Sequence, residues 1–235
     1  MPVHSNSYTV VYASVLTVVV GTSLAVAVSG LKPQQERNAL MANRRAILQT
    51  VVEVNPESLE ADYQSWITER VFNREGQEVS GVAAFSLILK DEARKPVAQQ
   101  RLPLFVFSRD GVTRYIVPMQ GAGLWGPIGA YLALEADLTT IFGVAFSHEK
   151  ETPGLGAEID RDFFEDRYKG KKIYAGNAKL EPVVVLRGSG NETKALPHAV
   201  DGLTGATITL NGVSQMFRDE LTRYERIFAA LRKTQ

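Results

Sequence analysis

The sequence predicts an α+β protein: a single N-terminal transmembrane helix, then a mixed α+β domain with a long C-terminal helix. Three observations carry this. No charged side chain precedes Lys32, strand-like and helix-like segments follow in irregular order, and the last stretch repeats its apolar residues at helical spacing. A doubly wound parallel sheet would need regular alternation of strands and helices, which is missing.

The elements follow in order. Tyr8 to Leu31 is uncharged and, as a helix of about 1.5 Å per residue, reaches about 36 Å against a hydrocarbon core of about 30 Å. A cleaved signal peptide is the competing reading, with Ala25-Val26-Ala27 as its cleavage site; Met1 to Ser7 holds no Lys or Arg and the apolar run is too long, so an uncleaved anchor is preferred. Gln34 to Val51 keeps helical spacing through Leu40, Ile47, Leu48 and Val51 and extends the anchor as a stalk past Pro33. Strand-like runs are expected at Ala83–Leu89, Leu104–Phe107, Tyr115–Val117, Tyr131–Leu134, Thr140–Phe146 and Val183–Leu186, with a hairpin turn at Asp110-Gly111. A short amphipathic helix fits Ile159–Tyr168. The long one presents Val213, Met216, Phe217, Leu221, Tyr224, Ile227, Phe228 and Leu231 on one face. The layout is an anchor over 1–31, a stalk over 32–60 and a folded domain over 61–235.

Composition narrows the function. Lys plus Arg and Asp plus Glu are 26 each, so the chain has no general attraction for nucleic acid. It has no cysteine, which rules out disulfides, thiolate metal sites, a sulfur nucleophile and a lipoprotein anchor. From Lys32 onward about a quarter of residues are charged, as in ordinary globular domains. Lys32, Arg37, Arg44 and Arg45 all follow the span, so the positive-inside rule alone places the folded domain in the cytoplasm.

Three glycine-rich segments are candidates for chemistry. Gly121-Ala122-Gly123-Leu124-Trp125-Gly126 spells G-x-G-x-x-G, yet Trp125 sits where a pyrophosphate must approach, Pro127 follows, and no βαβ unit continues from it. What remains is a loop presenting Leu124 and Trp125, either a buried corner or an apolar shelf for a flat ligand, the corner being commoner. His148-Glu149-Lys150-Glu151-Thr152-Pro153-Gly154-Leu155-Gly156 lacks the H-E-x-x-H pattern, and a solvated turn is the better reading of its charged half, so no metal site is expected. Its two glycines let backbone approach a ligand while Leu155 projects. Asp201-Gly202-Leu203-Thr204-Gly205-Ala206-Thr207-Ile208-Thr209 precedes the long helix. Its bland reading is a helix cap by Thr207 or Thr209; its chemical reading is a modifiable hydroxyl where a phosphate would face a helix N-terminus. No nucleophilic triad is visible and no catalytic residue is assigned; Asp160 with Asp162, and Glu165 with Asp166, sit on a helix face read as solvated. Asn191-Glu192-Thr193 matches the glycosylation sequon, a frequent accident.

Taken together, these segments resemble the C subunit of bacterial sodium-translocating NADH:quinone reductases and, less closely, the G subunit of Rnf-type complexes. The resemblance rests on Asn6-Ser7-Tyr8-Thr9, Leu31-Lys32-Pro33-Gln34-Gln35-Glu36-Arg37-Asn38, Gly123-Leu124-Trp125-Gly126-Pro127, Glu151-Thr152-Pro153-Gly154-Leu155-Gly156 and Asp201-Gly202-Leu203-Thr204-Gly205-Ala206-Thr207. It implies FMN bound through a phosphoester to Thr207, with Thr204, Gly205 and Ala206 as recognition context, Asp201 as the upstream acid and Thr209 as a decoy. It implies that Leu124, Trp125 and Leu155 touch the flavin ring while the backbone from Glu151 through Thr152, Pro153, Gly154 and Gly156 approaches it. It also implies a flavin transferase for maturation, partner subunits of the A, B, D, E and F type, membrane lipid around the span, and a periplasmic domain on the inner membrane, against the charge rule. The expected role is an electron relay on the path to quinone, inactive alone as a dehydrogenase. The rivals are an Rnf-type G subunit and a cofactor-free anchored assembly module.

Overall fold

The computed structural model describes residues 6–176, 179–187 and 193–233; Asn191 and Glu192 of the sequon lie outside them. Helix α1 runs Asn6–Gln49 with Pro33 inside it. Contacts divide the chain into two compact units, one ending at Asn43 and the other starting at Arg44. In the first, the apolar part of α1 reaches a mean hydropathy of 2.1 and is long and apolar enough to cross a membrane.

The second unit is built on a five-stranded antiparallel sheet in sequential order: β1 (Ile67–Asn73), β2 (Arg101–Arg109), β3 (Val112–Ala122), β4 (Pro127–Leu134) and β5 (Ile141–His148). The β2–β3 hairpin turns at Asp110 (φ 52°) and Gly111 (φ 77°), with Arg109 opposite Val112, the paired positive φ that Asp-Gly accommodates. Helix α5 (Thr207–Arg232) packs on one sheet face. Its Val213, Phe217, Leu221, Tyr224 and Phe228 are fully buried in one cluster with Leu102, Leu104, Val117, Leu132 and Leu134 of the sheet. The Tyr224 hydroxyl donates to the Pro103 carbonyl at 2.7 Å, satisfying a polar atom that would otherwise be stranded among rings.

The other face is covered by residues from the end of α1, by α2 (Leu59–Trp66) and by Phe85. Phe105 lies between Phe85 (5.2 Å) and Tyr131 (6.1 Å), and Trp66 meets Phe107 edge-on at 6.4 Å. Ile47, Leu48, Val51 and Tyr63 are buried, and Arg44 bonds to Glu60 while stacking 4.9 Å above Tyr63. A sheet covered on both faces needs apolar residues at consecutive positions, which is why Leu104-Phe105-Val106-Phe107 is a continuous run.

Two expectations need correction. Ala83–Leu89 is not a strand: it forms a 3₁₀ turn at Ala84–Ser86 and leads into α3 (Leu89–Arg94). Lys90, Glu92, Ala93 and Arg94 are good helix formers, and buried Glu92 accepts the Arg101 N–H at 2.8 Å and a bond from Lys95 at 2.5 Å, tying α3 to the start of β2. The edge position beside β2 belongs to β1, which pairs from Ile67 with Phe107 to Asn73 with Arg101. The helix expected over Ile159–Tyr168 is broken into a 3₁₀ turn (Gly156–Asp160), α4 (Asp162–Glu165) and a second 3₁₀ turn (Asp166–Tyr168), although Ile159, Phe164 and Tyr168 are buried as its pattern requires.

Small pairs complete the fold. They are β6 (Tyr174–Ala175) with β7 (Lys179–Leu180), and β8 (Val184–Leu186) parallel to β9 (Ala199–Asp201), which delivers the chain to α5.

Candidate functional site

The β3–β4 loop, the segment after β5 and the segment between β9 and α5 meet around one side chain, Glu151. It is only 4% exposed. Oε1 accepts the Trp125 N–H at 2.8 Å and Oε2 accepts the Thr209 hydroxyl at 2.5 Å, and the backbone N–H dipoles of Leu124 and Gly126 lie near enough to favour its charged form. Burial pushes this carboxyl up, but the Thr209 hydroxyl and the three backbone groups outweigh it and hold it below the usual range. A Cβ at Gly123 would lie 2.5 Å from Oε1, and one at Gly156 2.5 Å from Oε2. Both glycines are therefore needed for the carboxylate to fit. The reading of Glu151 as part of a solvated turn is corrected: it is a buried acceptor. His148 is half-buried and faces Asp160 at 3.4 Å.

The approach to α5 is equally tight. Arg167 Nη1 donates to the Asp201 carbonyl (2.7 Å) and the Gly202 carbonyl (3.0 Å), while the Thr193 N–H donates to Asp201 Oδ1 at 3.2 Å. Gly205 has φ 77°, and a Cβ there would sit 2.6 Å from Leu155 Cδ2. The helix begins after Ala206, and no side chain caps it. Thr207 is its first residue, half-buried, with no side-chain hydrogen bond among the described residues; Thr209 is 1% exposed and committed to Glu151. Neither threonine caps the helix.

Thr207 borders two shallow cavities. One, about 210 Å³, is lined by Leu124, Glu151, Thr152, Leu155, Gly156 and residues 205–209. The other, about 250 Å³, is lined by residues 185–187, 202–205, Thr207, Leu210 and Asn211. Trp125, Pro153 and Gly154 line neither; Gly154 instead donates its N–H to Glu158 at 2.9 Å. Around the first cavity stand exposed apolar side chains: Leu124 (45%), Trp125 (64%), Leu155 (41%) and Ile208 (58%). The β3–β4 loop is thus an exposed apolar shelf, and the buried-corner reading fails. Sequence reasoning misses Ile208, Arg187 and Asn211. An apolar Ile208 on the outward side of a first turn is the available signal; Arg187 gives none.

The carboxylate pairs on the α4 segment are not all solvated. Glu165 Oε1 accepts the Phe146 N–H at 2.6 Å, and burial, opposed by that bond and reinforced by Asp162, Asp160 and Asp166, pushes its carboxyl up to about 7. Among the described residues no cluster of three or more His, Asp or Glu side chains is placed to hold a metal.

The donor set suits a flat ring with a phosphate. An uncapped helix start offers unpaired N–H groups to an anion, a free hydroxyl lies beside it, and an apolar rim stands alongside. Two small cavities, each with polar and apolar walls, meet at one hydroxyl, which suits a ligand with both characters.

Comparison with known proteins agrees. Residues 123–222 match the FMN-binding domain family. The chain is similar to the C subunit of the Na(+)-translocating NADH-quinone reductase of Vibrio vulnificus, with 32% identity and coverage of 86% of this chain and 88% of that one. It is similar to the corresponding C subunit of Pseudomonas aeruginosa, with 30% identity and coverage of 97% of both. The crystal structure of the C subunit from Parabacteroides distasonis is 35% identical with a TM-score of 0.74, covering 84% of this chain and 96% of the other.

Proposed function

The chain belongs to the family of C subunits of Na(+)-translocating NADH-quinone reductases, and from that membership we propose that it carries FMN tethered by a phosphoester to Thr207 and relays electrons toward quinone within such a complex. The observation that carries the tether is the contrast at the head of α5: the Thr207 hydroxyl is free beside two cavities, whereas the Thr209 hydroxyl is buried against Glu151.

FMN, when bound, supplies reversible one- and two-electron chemistry that no side chain here offers. The chain's residues do the rest. The uncapped first turn of α5 favours the negative phosphoester, since its N–H groups have no competing side-chain acceptor. Leu124, Trp125, Leu155 and Ile208 give a flat ring apolar surface, and Glu151, Thr152, Leu155 and Gly156 close one side of the cavity, with Thr204, Gly205 and Ala206 giving the attachment sequence its shape. Each cavity is smaller than the roughly 300–1,000 Å³ of sites that hold a cofactor by enclosure. A covalent tether offsets this by keeping the local ligand concentration high without deep burial.

In this reading residues 1–31 anchor the chain in the inner membrane; the stalk expected over 32–60 shortens to 32–43, because Ile47, Leu48, Val51 and Leu59 are buried in the folded unit that starts at Arg44, and that unit is a periplasmic domain that receives FMN from a flavin transferase and meets the other subunits. The experiment is in-gel fluorescence after SDS denaturation of protein made with a competent transferase. A yellow band is expected for wild type and Thr209→Ala and absent for Thr207→Ala, with a mass gain of FMN minus water on the peptide holding Thr207. Loss of the band in Thr209→Ala alone, or an unmodified wild type, rejects the assignment.

A further inference from the structure

We propose that Glu151 is a positioning residue that joins the Trp125 loop to the flavin-bearing helix and, by its fixed negative charge, sets how readily the cofactor takes up electrons; this rests on the tethered-FMN reading above. Three observations converge on it. First, one carboxylate spans two loops and a helix: its two oxygens take the Trp125 N–H at 2.8 Å and the Thr209 hydroxyl at 2.5 Å. Thr209 is two residues from the tether, and Trp125 heads the apolar shelf, so Glu151 fixes the distance between attachment point and ring surface. Second, glycine at 123 and 156 leaves room for these oxygens and for nothing larger. The pocket is fitted to a carboxylate.

Third, the charge is buried and has no ion-pair partner. No Lys, Arg or His pairs with Glu151 among the described residues, so no positive side chain neutralises it. Its partners are N–H and O–H dipoles and the positive end of α5. Glu151 also lines the same cavity as Leu124, Leu155 and Thr207, so its field acts on whatever occupies that space. A fixed negative charge in the cavity wall opposes electron uptake nearby. Removing it leaves the helix N-terminus unopposed and favours uptake.

Two variants of the full chain separate charge from shape. Glu151→Gln keeps the length and loses the charge; Glu151→Asp keeps the charge and shortens the reach. In flavin-bearing protein, the midpoint potential from spectroelectrochemical titration should move to more positive values in Glu151→Gln and return most of the way in Glu151→Asp. In protein made without the transferase, amide exchange at Leu124 to Gly126, read by mass spectrometry, should quicken about tenfold or more in Glu151→Asp, whose shorter side chain withdraws the acceptor, and less in Glu151→Gln, whose amide oxygen still reaches the Trp125 N–H. Equal potentials in the Gln and Asp variants, or exchange at the wild-type rate in Glu151→Asp, overturn the proposal. A wild type lacking the SDS-stable band would instead reject the tether, while the exchange comparison would still decide whether Glu151 holds the loop.

Discussion

The Thr209 hydroxyl donates to Glu151 Oε2 at 2.5 Å, and this bond separates two threonines that look alike in sequence. Thr207 begins the helix with its hydroxyl unpaired among the described residues; Thr209, two positions later, faces inward and is 1% exposed. Two residues rotate the helix by about 200°, just over half a turn, and give them opposite surroundings.

Thr209→Val removes that hydroxyl at nearly constant volume. It leaves a buried carboxylate one partner short, so stability should fall by about 1–3 kcal/mol in chemical denaturation. The SDS-stable flavin band should persist.

Gly205→Ala introduces a Cβ at φ 77° and 2.6 Å from Leu155 Cδ2. Backbone strain costs about 1 kcal/mol, and Leu155 must swing away from the cavity. Denaturation should report a loss of about 1–2 kcal/mol, and flavin attachment per chain, read by absorbance, should drop.

In the core, Phe217→Ala should cost about 3–5 kcal/mol, since the ring is fully buried and stacks on Tyr168 at 5.2 Å. Tyr224→Phe deletes only the bond to the Pro103 carbonyl and should cost about 1 kcal/mol. Comparing the two by urea melts tests whether packing or the single buried bond dominates between α5 and the sheet.

Glu165 and Glu151 should respond to pH in opposite senses. The folded Glu165 carboxyl titrates near 7 against an unfolded value of 4.5, so the native state holds its proton more tightly. Its contribution is fully present below about pH 4.5 and is lost as pH rises through 7. Glu165→Gln, which cannot ionise, should therefore gain stability relative to wild type across that window. Glu151, held below the usual carboxylate range, stabilises the fold at neutral pH and loses this as pH falls through its folded value, so Glu151→Gln should lose ground to wild type above that range. Thermal melts from about pH 2 to 8 measure both differences.

Where one residue's surroundings are set by its near neighbours, the sequence is legible. The buried face of α5 follows from helical spacing, and the β2–β3 hairpin from Asp110-Gly111 between apolar runs. Ala83–Leu89 misleads because its apolar residues serve a covering layer, where Phe85 packs on Phe105, rather than a pleated ladder. β1 escapes notice because Thr68, Glu69 and Arg70 give it a polar centre, tolerable at a sheet edge. At the site, the three glycine segments can be picked out singly. Glu151 cannot, because its meaning comes from Thr209, far away in the chain, and from glycines that border its two oxygens.

Helix α5 also works as a gauge block. Gly212 presses so near the Ala122 carbonyl that a methyl group there would overlap it, and Arg232 at the far end hydrogen-bonds the Leu138 carbonyl at 2.8 Å. Held at these two points, about 30 Å apart along its axis, the rod has no latitude to slide or roll by a residue. The threonine at its tip is thus presented to every visiting protein at one repeatable address, and a docking surface need only learn that address once.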